Sequence, residues 1–500
     1  MTDVFGVPAS TATISDIDEA DAILVVDSNI ICTHPVAALD LLRVHNSGSA
    51  KVLVVGHRSN KLTTQCLQFA RTMPGQEVTL LNCLVNLLVE KDVLDEGVLQ
   101  RGTESYDKLK LHVAKHTLSE TSVATGIDAS IISEIAEGIA DSKKFLVVVS
   151  PGSLHSAVNS SVVRAAVNLA VLKGGKVLSL VREGNAQGAL DMGISPDFLP
   201  GYKEAAGVPG GSLEVSNILH SVESGEIKAL YLLGGDIRSE MALLGLPLET
   251  LQKLECLVVQ DVFGGAATEM AHVVLPACSF AEREGSYTNA YRIVQTALQA
   301  VKPLGRSRPD AEILDDLGHR LGLSPFDSVG AVRAQIASSV PIYDFIAEKR
   351  EAAGDGAWDY SKVSSGARHK LSIVEGCRSA VDEAHPYIVT FDNMLHFGGA
   401  SSTHSPSLAK IRVDAVVEVG EDDAEALGVE DGTLVELKIR EGGSAILPAR
   451  ISRELPPGVL SVPAHSYEAV QSLISKLKPG DLKPEEGPPV WVARVSVAKD

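Results

Sequence analysis

The sequence predicts an α/β protein with two parallel-sheet, Rossmann-like domains followed by a C-terminal β-barrel domain. Over the first half of the chain, β-branched apolar runs alternate with helix-length segments. Two more such runs follow residue 200, and from residue 387 onward short apolar segments alternate with Gly, Pro and Asp turns. The first two observations indicate parallel strands covered by helices, and the third indicates a β-rich domain.

The first predicted α/β domain spans residues 1–182. Four of its runs are apolar at nearly every position, which is typical of strands buried on both faces: Ala22–Val26, Lys51–Gly56, Phe145–Val149 and 176–180. The segments between the runs have helical patterns. Asp128 can cap a helix that carries Ile132 and Ile135, and residues 162–172 form another apolar helix.

The second predicted α/β domain spans residues 183–345. Its strand candidates are Ala229–Leu233 and 256–260, and a turn rich in Gly or Asp follows each of them. Ligands of open α/β sheets gather at the carboxyl ends of the strands. We therefore expect four residues at these ends to face a ligand: Gly234, Asp236, Gln260 and Asp261.

The last third of the chain has a different character. Residues 346–380 are predicted to be a linker, because this stretch is charged, rich in Gly and Ser and without clear periodicity. The β-barrel domain is predicted over residues 381–500. Its expected strands are short and separated by turn residues: 413–419, Leu434–Ile439, 445–451 and 459–462.

Composition restricts the class of protein. With 45% hydrophobic and 22% charged residues, the 500-residue chain is expected to be globular, with about two to four domains. A net charge of -20 argues against general affinity for nucleic acid or for an anionic membrane surface. Because the sequence has no apolar run of about 18 residues and no basic leader, we expect a cytoplasmic protein without direct membrane insertion.

The cysteines predict neither an iron–sulfur cluster nor another bound metal. Such sites need several thiolates close together, usually with C-x-x-C-like spacing, and this spacing does not occur. The six cysteines are instead scattered along the chain: Cys32, Cys66, Cys83, Cys256, Cys278 and Cys377. Buried, reduced thiols are the expected state.

A polar, glycine-rich segment follows the last strand of the first predicted domain. It runs from Val181 to Gly193, and Pro200-Gly201-Tyr202 comes shortly after it. Glycine lets the backbone approach a flat polar ligand, whose donors and acceptors can be satisfied by amide side chains. The alternative is a turn that only connects two elements. Its candidate ligand contacts are Arg182, Asn185, Gln187 and Asp191.

The most specific pattern covers residues 258–295. It contains Val-Val-Gln-Asp-x-Phe at 258–263, Val-Val-Leu-Pro at 273–276 and Glu-x-x-Gly-Ser-Tyr-Thr-Asn-x-x-Arg-x-x-Gln at 282–295. This spacing resembles the molybdopterin oxidoreductase family, and the segment after Val181 resembles formate dehydrogenase catalytic subunits. The chain is similar to the C-terminal part only of two large subunits, the large peripheral-arm subunit of NADH:quinone oxidoreductase and formate dehydrogenase alpha.

The resemblance implies domains, a cofactor and partners. Residues 1–182 would be the family's third domain, 183–345 part of its central domain, and 381–500 its dinucleotide-binding β domain. The implied cofactor is molybdopterin guanine dinucleotide, and Arg182 matches an arginine that faces the substrate. The implied partners are other subunits of a membrane-associated oxidoreductase, including an iron–sulfur subunit. Further implied cofactor contacts are Asn29, His34, Arg58, Glu282, Asn289, Arg292 and His465.

Several family positions differ in this chain. Gly265-Ala266-Ala267 stands where the family has Thr-Glu-Thr, and His272 stands where it has Asp. Losing such polar groups lowers affinity for a polar ligand. The family pattern has an iron–sulfur domain and a Cys or selenocysteine that binds molybdenum upstream of the matched part, and we expect no counterpart of either here. We therefore expect the chain to lack a redox centre of its own.

These observations leave several functions open. The first hypothesis is a mainly structural subunit in the peripheral arm of an NADH:quinone oxidoreductase, respiratory complex I, placed in the cytoplasm and peripheral to the inner membrane through its partners. The alternative is a split formate dehydrogenase-like subunit that binds the pterin dinucleotide while another chain supplies the metal ligand. A free-standing dinucleotide-binding module fits the strand–helix repeats but not the 258–295 pattern.

Overall fold

A computed structural model describes most of the chain as two compact units. The first unit combines Met1–Arg182, Gly366–Phe397 and Ser405–Asp500, and the second combines Glu183–Ser365 and Gly398–His404. The described residues are 2–5, 7–26, 29–101, 103–150, 156–181, 183–196, 198–204, 215–235, 237–238, 241, 246–326, 328–347, 356–364, 370–376, 381–395, 402, 404–411, 415–440, 442–474 and 491–498.

The first unit contains a five-stranded parallel sheet. Its strands β1 to β5 are Ala22–Val26, Lys51–Gly56, Gln68–Arg71, Phe145–Val149 and Lys176–Ser179. They are arranged in the order β3-β2-β1-β4-β5, and every pairing is parallel. All residues of β1 and β4 are buried, as expected for strands covered on both faces. The predicted parallel sheet is confirmed, with the addition of β3, which the sequence pattern does not indicate.

Helices pack around this sheet. They are Thr2–Phe5, Ser15–Glu19, Ile30–Thr33, Pro35–Asn46, Lys61–Gln65, Glu77–Glu90, Glu96–Arg101, Thr103–Val113, Leu118–Thr125, Ala129–Ala140 and Ser156–Leu172. Helix Ala129–Ala140 begins after Asp128, whose side chain accepts a hydrogen bond from the Ser130 amide at 2.8 Å, so the predicted cap is confirmed. Among the described residues, no helix has both the length and the apolar character needed to cross a membrane.

In the part of the second unit that the structure describes, there are three small sheets. Its strands β6 to β13 are Phe198–Leu199, Lys203–Glu204, Ala229–Leu233, Cys256–Asp261, Val273–Pro276, Gly285–Thr288, Ile293–Ala297 and Gly356–Ala357. Strands β8 to β10 form a parallel sheet in the order β10-β9-β8, β11 to β13 are antiparallel, and β6 pairs with β7. The helices are Ala186–Asp191, Val215–Glu223, Ala266–Met270, Asp310–Arg320, Val329–Ser339 and Ser361–Ser364, with 3-10 turns at Leu248–Lys253, Phe280–Glu282 and Pro341–Ala347.

The parallel sheet of the second unit is only partly covered. Leu257 and Val259 of β9 are buried in a core with residues of the neighbouring helix and 3-10 turn. By contrast, Leu233 of β8 is 48% exposed and Val273 of β10 is 45% exposed. The described residues therefore cover this sheet less completely than the first one, although both sheets have similarly apolar strands.

The C-terminal segment forms a closed barrel. Its strands β14 to β19 are Tyr387–Asp392, Val417–Gly420, Leu434–Ile439, Ser444–Ser452, Val459–Pro463 and Trp491–Val497, in the order β14-β18-β15-β17-β16-β19. Helices Pro406–Ala409, Glu421–Leu427 and Tyr467–Ile474 accompany them. This confirms the predicted α/β fold with a C-terminal β-barrel. The barrel belongs to the same compact unit as the five-stranded sheet.

Parts of the segment predicted to be a linker are packed. Trp358, in the second unit, is 1% exposed. In the first unit, the Asn168 side chain donates to the carbonyl of Ser372 at 2.7 Å and accepts from the Ser372 amide at 3.0 Å. The sequence does not indicate this packing, because the anchoring residues lie far away along the chain.

The topology of the first sheet defines where a ligand can bind. From β1 the chain adds β2 and β3 on one side, whereas β4 and β5 lie on the other side. The carboxyl ends of β1 and β4 therefore flank a topological switch point, which is the usual ligand-binding position of open α/β sheets.

Candidate functional site

Strand ends from the five-stranded sheet and from the barrel meet in a polar cluster. We call it the strand-end cluster and define it as Asn29, His57, Arg58, Asp392, Asn393 and Ser466. Asn29, after β1, donates its side-chain amide to the carbonyl of Asn393, after β14, at 3.0 Å. The Ala464 amide, after β18, donates to the carbonyl of Asp392 at 2.9 Å. Loops that follow four strands thus contribute to one buried region.

Arg58 is the centre of this cluster. Its side chain is 6% exposed and binds three carboxylates of the barrel segment. Nη1 lies 3.2 Å from Asp392 Oδ2, Nη2 lies 2.6 Å from Glu418 Oε2, and Nε lies 2.8 Å from Glu454 Oε2. Burial lowers the pKa of the Arg58 guanidinium, but the three carboxylates raise it above its ordinary value, so Arg58 remains a cation. Arg58, which the sequence predicts to contact the cofactor, is therefore bound by three carboxylates of the chain itself.

The two oxygen atoms of the buried Asp392 carboxylate differ in their hydrogen bonds. Oδ2 accepts hydrogen bonds from Thr390 at 3.0 Å, Ser461 at 2.9 Å and Arg58 at 3.2 Å. Oδ1 is also buried but has no hydrogen-bond partner among the described residues. The Ser466 hydroxyl, at the barrel side of the cluster, is in the same state. Buried polar atoms are almost always paired in folded proteins, and within the described residues these two oxygens lack a hydrogen-bond partner that a bound polar ligand could supply.

The charge of Asp392 is stabilised by its neighbours. Burial alone raises the pKa of this carboxyl group, but His57, whose Nε2 lies 3.6 Å from Oδ2, and Arg58 together hold it well below its usual range. Asp392 is therefore an anion at neutral pH, and its second oxygen can accept a hydrogen bond from a ligand donor.

This low pKa predicts a pH-dependent stability. The contribution of Asp392 to stability is present above its unfolded pKa of about 3.9 and is lost as the pH falls through the lower folded pKa. We expect Asp392→Asn to flatten the fall of the unfolding free energy below about pH 4 by up to about 1.4 kcal/mol per pH unit. Urea denaturation between about pH 2.5 and pH 5 measures this slope. Glu226→Gln, at an exposed carboxylate, is the control, and equal slopes in wild type and Asp392→Asn would contradict the prediction.

His34 connects the strand ends at the switch point. Its Nε2 lies 2.9 Å from the carbonyl oxygen of Val181, after β5, and its Nδ1 lies 3.3 Å from the Ser150 hydroxyl, after β4. The predicted contacts Asn29, His34 and Arg58 are thus brought to one edge of the sheet. His465 adjoins Ser466 and is partly buried. Arg182, the substrate-facing candidate, and Asp236 lie outside the described residues.

In the second unit, Asp191 is the centre of a separate buried network. It is fully buried and accepts hydrogen bonds from Gln187 at 2.8 Å, Tyr343 at 2.7 Å and the Trp358 indole at 3.0 Å, and also from the Tyr202 hydroxyl. Burial raises the pKa of Asp191, and these four donors lower it only in part. Gln187 and Asp191, predicted to contact a cofactor, therefore have internal partners that hold the polar segment in place.

Asn185 also has a structural role. Its Oδ1 accepts the Thr288 amide at 2.8 Å, which ties the polar segment to β11. The neighbouring Gly188 has no space for a side chain, because a Cβ there would lie 2.3 Å from Asn185 Oδ1. The glycine in this segment therefore serves close packing within the chain.

The predicted contacts of the 282–295 pattern shape a hairpin. Glu282 accepts the amides of Ser279 at 2.8 Å and Leu304 at 2.7 Å. Asn289 accepts the Ile293 amide at 3.1 Å and starts the turn between β11 and β12. Arg292 has a positive φ of 65° in that turn, is buried, and donates to the carbonyl of Trp358 at 2.9 Å.

The remaining candidates lie at the carboxyl ends of β8 and β9. Gln260 is fully buried, donates to Asp310 at 2.7 Å and accepts a hydrogen bond from Tyr231. Asp261 caps its own turn by accepting the Val262 amide at 2.6 Å. Gly234 has a positive φ of 61°, and a Cβ at this position would have no neighbouring atom within 4 Å. Within the described residues, no three His, Cys, Asp or Glu side chains are grouped so that they could hold a metal ion.

The sequence pattern does not single out His57, Asp392, Asn393 or Ser466. His57 follows β2, as Asn29 follows β1. Its position after a predicted strand could therefore have identified His57 as a candidate site residue. Asp392 ends an apolar strand of the barrel, and its partner Arg58 lies 334 residues earlier in the chain, so no local pattern relates the two.

Comparisons with known proteins relate both halves of the cluster to one family. A family model described as molybdopterin oxidoreductase matches residues 2–320, and one described as molydopterin dinucleotide binding domain matches residues 392–487. Asn29 and Arg58 lie in the first match, and Asp392 and Ser466 lie in the second.

Relatives and solved structures are similar to this protein over nearly the whole chain. The chain is 29% identical to the F420-dependent formate dehydrogenase subunit alpha of Methanocaldococcus jannaschii, over 95% of this chain and 76% of that protein. It is 28% identical to the NADPH-Fe(3+) oxidoreductase subunit alpha of Geobacter sulfurreducens, over 93% of this chain and 56% of that protein. Acetylene hydratase from Pelobacter acetylenicus has the same fold, with a TM-score of 0.75, 16% identity, and coverage of 99% of this chain and 80% of that one.

The chain thus spans about three quarters of the first relative and little more than half of the second. The first family model alone covers more than half of this chain. The predicted resemblance is confirmed at this level, and the chain belongs to the molybdopterin oxidoreductase family.

Proposed function

We propose that this chain binds a molybdopterin guanine dinucleotide at the strand-end cluster, as a subunit of a formate dehydrogenase-like oxidoreductase. The observation that carries this proposal is the pair of buried oxygens, Asp392 Oδ1 and Ser466 Oγ, without a partner among the described residues. Leaving a polar atom buried and unpaired costs about 1–3 kcal/mol, so a ligand donor at this place would be stabilising.

The chemistry of the cluster fits such a cofactor. A pterin dinucleotide carries N–H and O–H groups, which can donate hydrogen bonds to the anionic Asp392 and to the Ser466 hydroxyl. Asn29 and Asn393 would position the ligand, because their mutual hydrogen bond holds the ends of β1 and β14 together. When bound, the cofactor supplies a metal centre for oxidation and reduction, which no described residue of this chain provides.

The subunit assignment rests on the relatives. The two relatives described above both bear the name of an alpha subunit, one of a formate dehydrogenase and the other of an NADPH-Fe(3+) oxidoreductase. By analogy, this chain would act with further subunits, including an iron–sulfur subunit. We place it in the cytoplasm, peripheral to the inner membrane through those partners.

The second candidate function is a structural subunit in the peripheral arm of an NADH:quinone oxidoreductase. The loop after β9 favours it. Gly265, Ala266 and Ala267 bring no side-chain donor or acceptor to this loop, and the Thr268 hydroxyl donates to the carbonyl of Gly265 at 2.7 Å. Glu282, Asn289 and Arg292 likewise bond to other groups of the second unit, so this part of the family pattern can persist as a scaffold without the cofactor.

Cofactor analysis separates the two functions. The chain is purified together with its native partners, and molybdenum, tungsten, oxidised pterin fluorescence and guanine nucleotide are quantified per chain. We expect close to one pterin dinucleotide per chain. A complex that is intact but free of pterin would overturn the proposal and favour the structural subunit.

A substitution of Ser466 tests the place of binding. Because its hydroxyl is buried without a partner among the described residues, Ser466→Ala should leave the stability of the ligand-free chain unchanged or slightly higher, while weakening retention of the dinucleotide about fivefold. The matched control is Ser461→Ala, which removes a buried hydroxyl that donates to Asp392 and should lower stability. Retention is measured as pterin released during dialysis. If Ser466→Ala retains the dinucleotide as well as wild type, the ligand does not contact Ser466.

A further inference from the structure

We propose that a groove on the second unit is a docking site for a basic, amphipathic polypeptide segment of a partner subunit. The groove has a volume of about 760 Å³. It lies between the β11–β12 hairpin, helix Asp310–Arg320 and helix Val329–Ser339, and it lies outside the strand-end cluster. The proposal therefore goes beyond cofactor binding and does not depend on it.

The groove presents large apolar side chains to solvent. Leu314 on the helix is 42% exposed, and Leu323 and Phe326 on the following loop are 65% and 47% exposed. Leu317 and Leu321 continue the same helix face, at three and seven residues after Leu314, and are 38% and 74% exposed. Several exposed large apolar side chains at one groove and on the adjoining helix are typical of an interaction site.

The same groove is acidic. Four carboxylates line it, and among the described residues the only cationic lining side chain is Arg283. Arg283 forms an ion pair with Asp310, and Arg308 lies 3.7 Å from Glu312 outside the lining. The other two carboxylates are Glu284 and Asp315. An occupant of this groove must therefore offer positive charge together with apolar surface.

The walls of the groove are fixed by hydrogen bonds. Arg333 donates to the hydroxyls of Ser286 at 2.7 Å and Thr296 at 2.8 Å, which ties helix Val329–Ser339 to the hairpin. The Phe326 amide donates to Asp315 at 2.7 Å and holds the loop against the other helix. The groove is thus formed before an occupant arrives, which reduces the entropic cost of binding.

The negative charge of the groove restricts which class of molecule can bind there. Nucleic acid, anionic lipid and the phosphates of a nucleotide would meet the carboxylates of the groove and the net charge of -20 of the chain. A second copy of this acidic chain would meet the same repulsion. A helix-forming segment with leucine or phenylalanine on one face and lysine or arginine at its margins satisfies both the apolar floor and the acidic rim.

Fluorescence anisotropy tests the proposal on the full chain. The probe is a short fluorescein-labelled peptide with Leu and Phe at helical spacing between flanking lysines, and it is compared with peptides that carry glutamate for lysine or serine for Leu and Phe. We expect only the basic amphipathic peptide to bind. Leu323→Ser combined with Phe326→Ser should weaken binding at least about tenfold, because two large apolar contacts are lost.

A second pair of variants tests the charge. Glu284→Gln combined with Glu312→Gln should weaken binding about threefold at low salt and reduce its salt dependence. The controls are Val123→Ser, at an 87% exposed side chain of the first unit, and Glu226→Gln, at an exposed carboxylate of the second unit. Both should bind the peptide as wild type does.

All substituted side chains of the groove are at least partly exposed, so the variants are expected to keep the wild-type melting profile, which circular dichroism checks. Equal binding of the acidic peptide, or of anionic lipid vesicles, would overturn the proposal. So would groove variants that bind as tightly as wild type, or a self-association of the chain that depends on Leu323 and Phe326, because the groove would then receive a second copy.

Discussion

Replacing Arg58 with alanine is expected to destabilise the first unit by about 3–5 kcal/mol. The substitution leaves Asp392 and Glu418 buried as carboxylates without their common cation, and the cost of an uncompensated buried charge exceeds the value of the original pair. Urea denaturation followed by circular dichroism measures the loss as a lower midpoint. Hydrogen exchange resolved by mass spectrometry assigns it to the sheet and the barrel, since both belong to this unit.

Two further variants show that the effect comes from burial. Arg43 also contacts two carboxylates, Asp18 and Asp40, but its side chain is 55% exposed, so Arg43→Ala should leave the midpoint unchanged. Arg58→Lys keeps the charge but cannot contact three carboxylates in separate directions, so its midpoint should lie between those of wild type and Arg58→Ala. An Arg58→Ala variant as stable as wild type would mean that the network does not hold the barrel on the sheet.

The first sheet and the barrel are the parts of the fold that local sequence predicts well. Strands β1 and β4 are buried on both faces, so burial requires an apolar residue at every position, and the pattern is visible in the sequence. Strand β3 is an edge strand with one fully buried residue, Ala70, and its mixed sequence Gln-Phe-Ala-Arg carries no comparable pattern.

The sequence predicts only part of the candidate site. Asn29 and Arg58 follow predicted strands, and topology alone brings them to one edge of a sheet. Asp392 and Ser466 come from a barrel whose position against that sheet depends on contacts between residues hundreds of positions apart. Local pattern predicts each domain, but the pairing of the two domains arises only in the folded chain.

Resemblance to a family identifies positions more reliably than roles. Asn289 and Arg292 belong to the pattern that identifies the family, and in the structure they form and brace a turn. Asp191 belongs to the polar segment, and in the structure it binds four donors of its own unit. Such residues can be retained because the domain needs them, whether or not it binds a cofactor.

We therefore expect Asp191→Ala to cause a large loss of stability that is confined to the second unit. Gln187, Tyr202, Tyr343 and the Trp358 indole would each lose a buried acceptor, and unpaired buried donors cost about 1–3 kcal/mol each before relaxation, so we expect a total loss of at least about 3 kcal/mol. Trp358 donates directly to the carboxylate, so its fluorescence reports the change, and hydrogen exchange should accelerate in the second unit only.

Asp191→Asn is the matched test of this explanation. The amide keeps one acceptor oxygen, so two of the four donors can remain bonded. Its NH2 group faces one tyrosine hydroxyl, which can rotate to accept a hydrogen bond, and one N–H donor, which loses its acceptor. Its stability should consequently lie between those of wild type and Asp191→Ala. Because the network is internal, both variants should leave the stability of the first unit unchanged. A loss of pterin from either variant without unfolding of the second unit would instead mean that Asp191 contacts the cofactor, as the sequence pattern alone suggests.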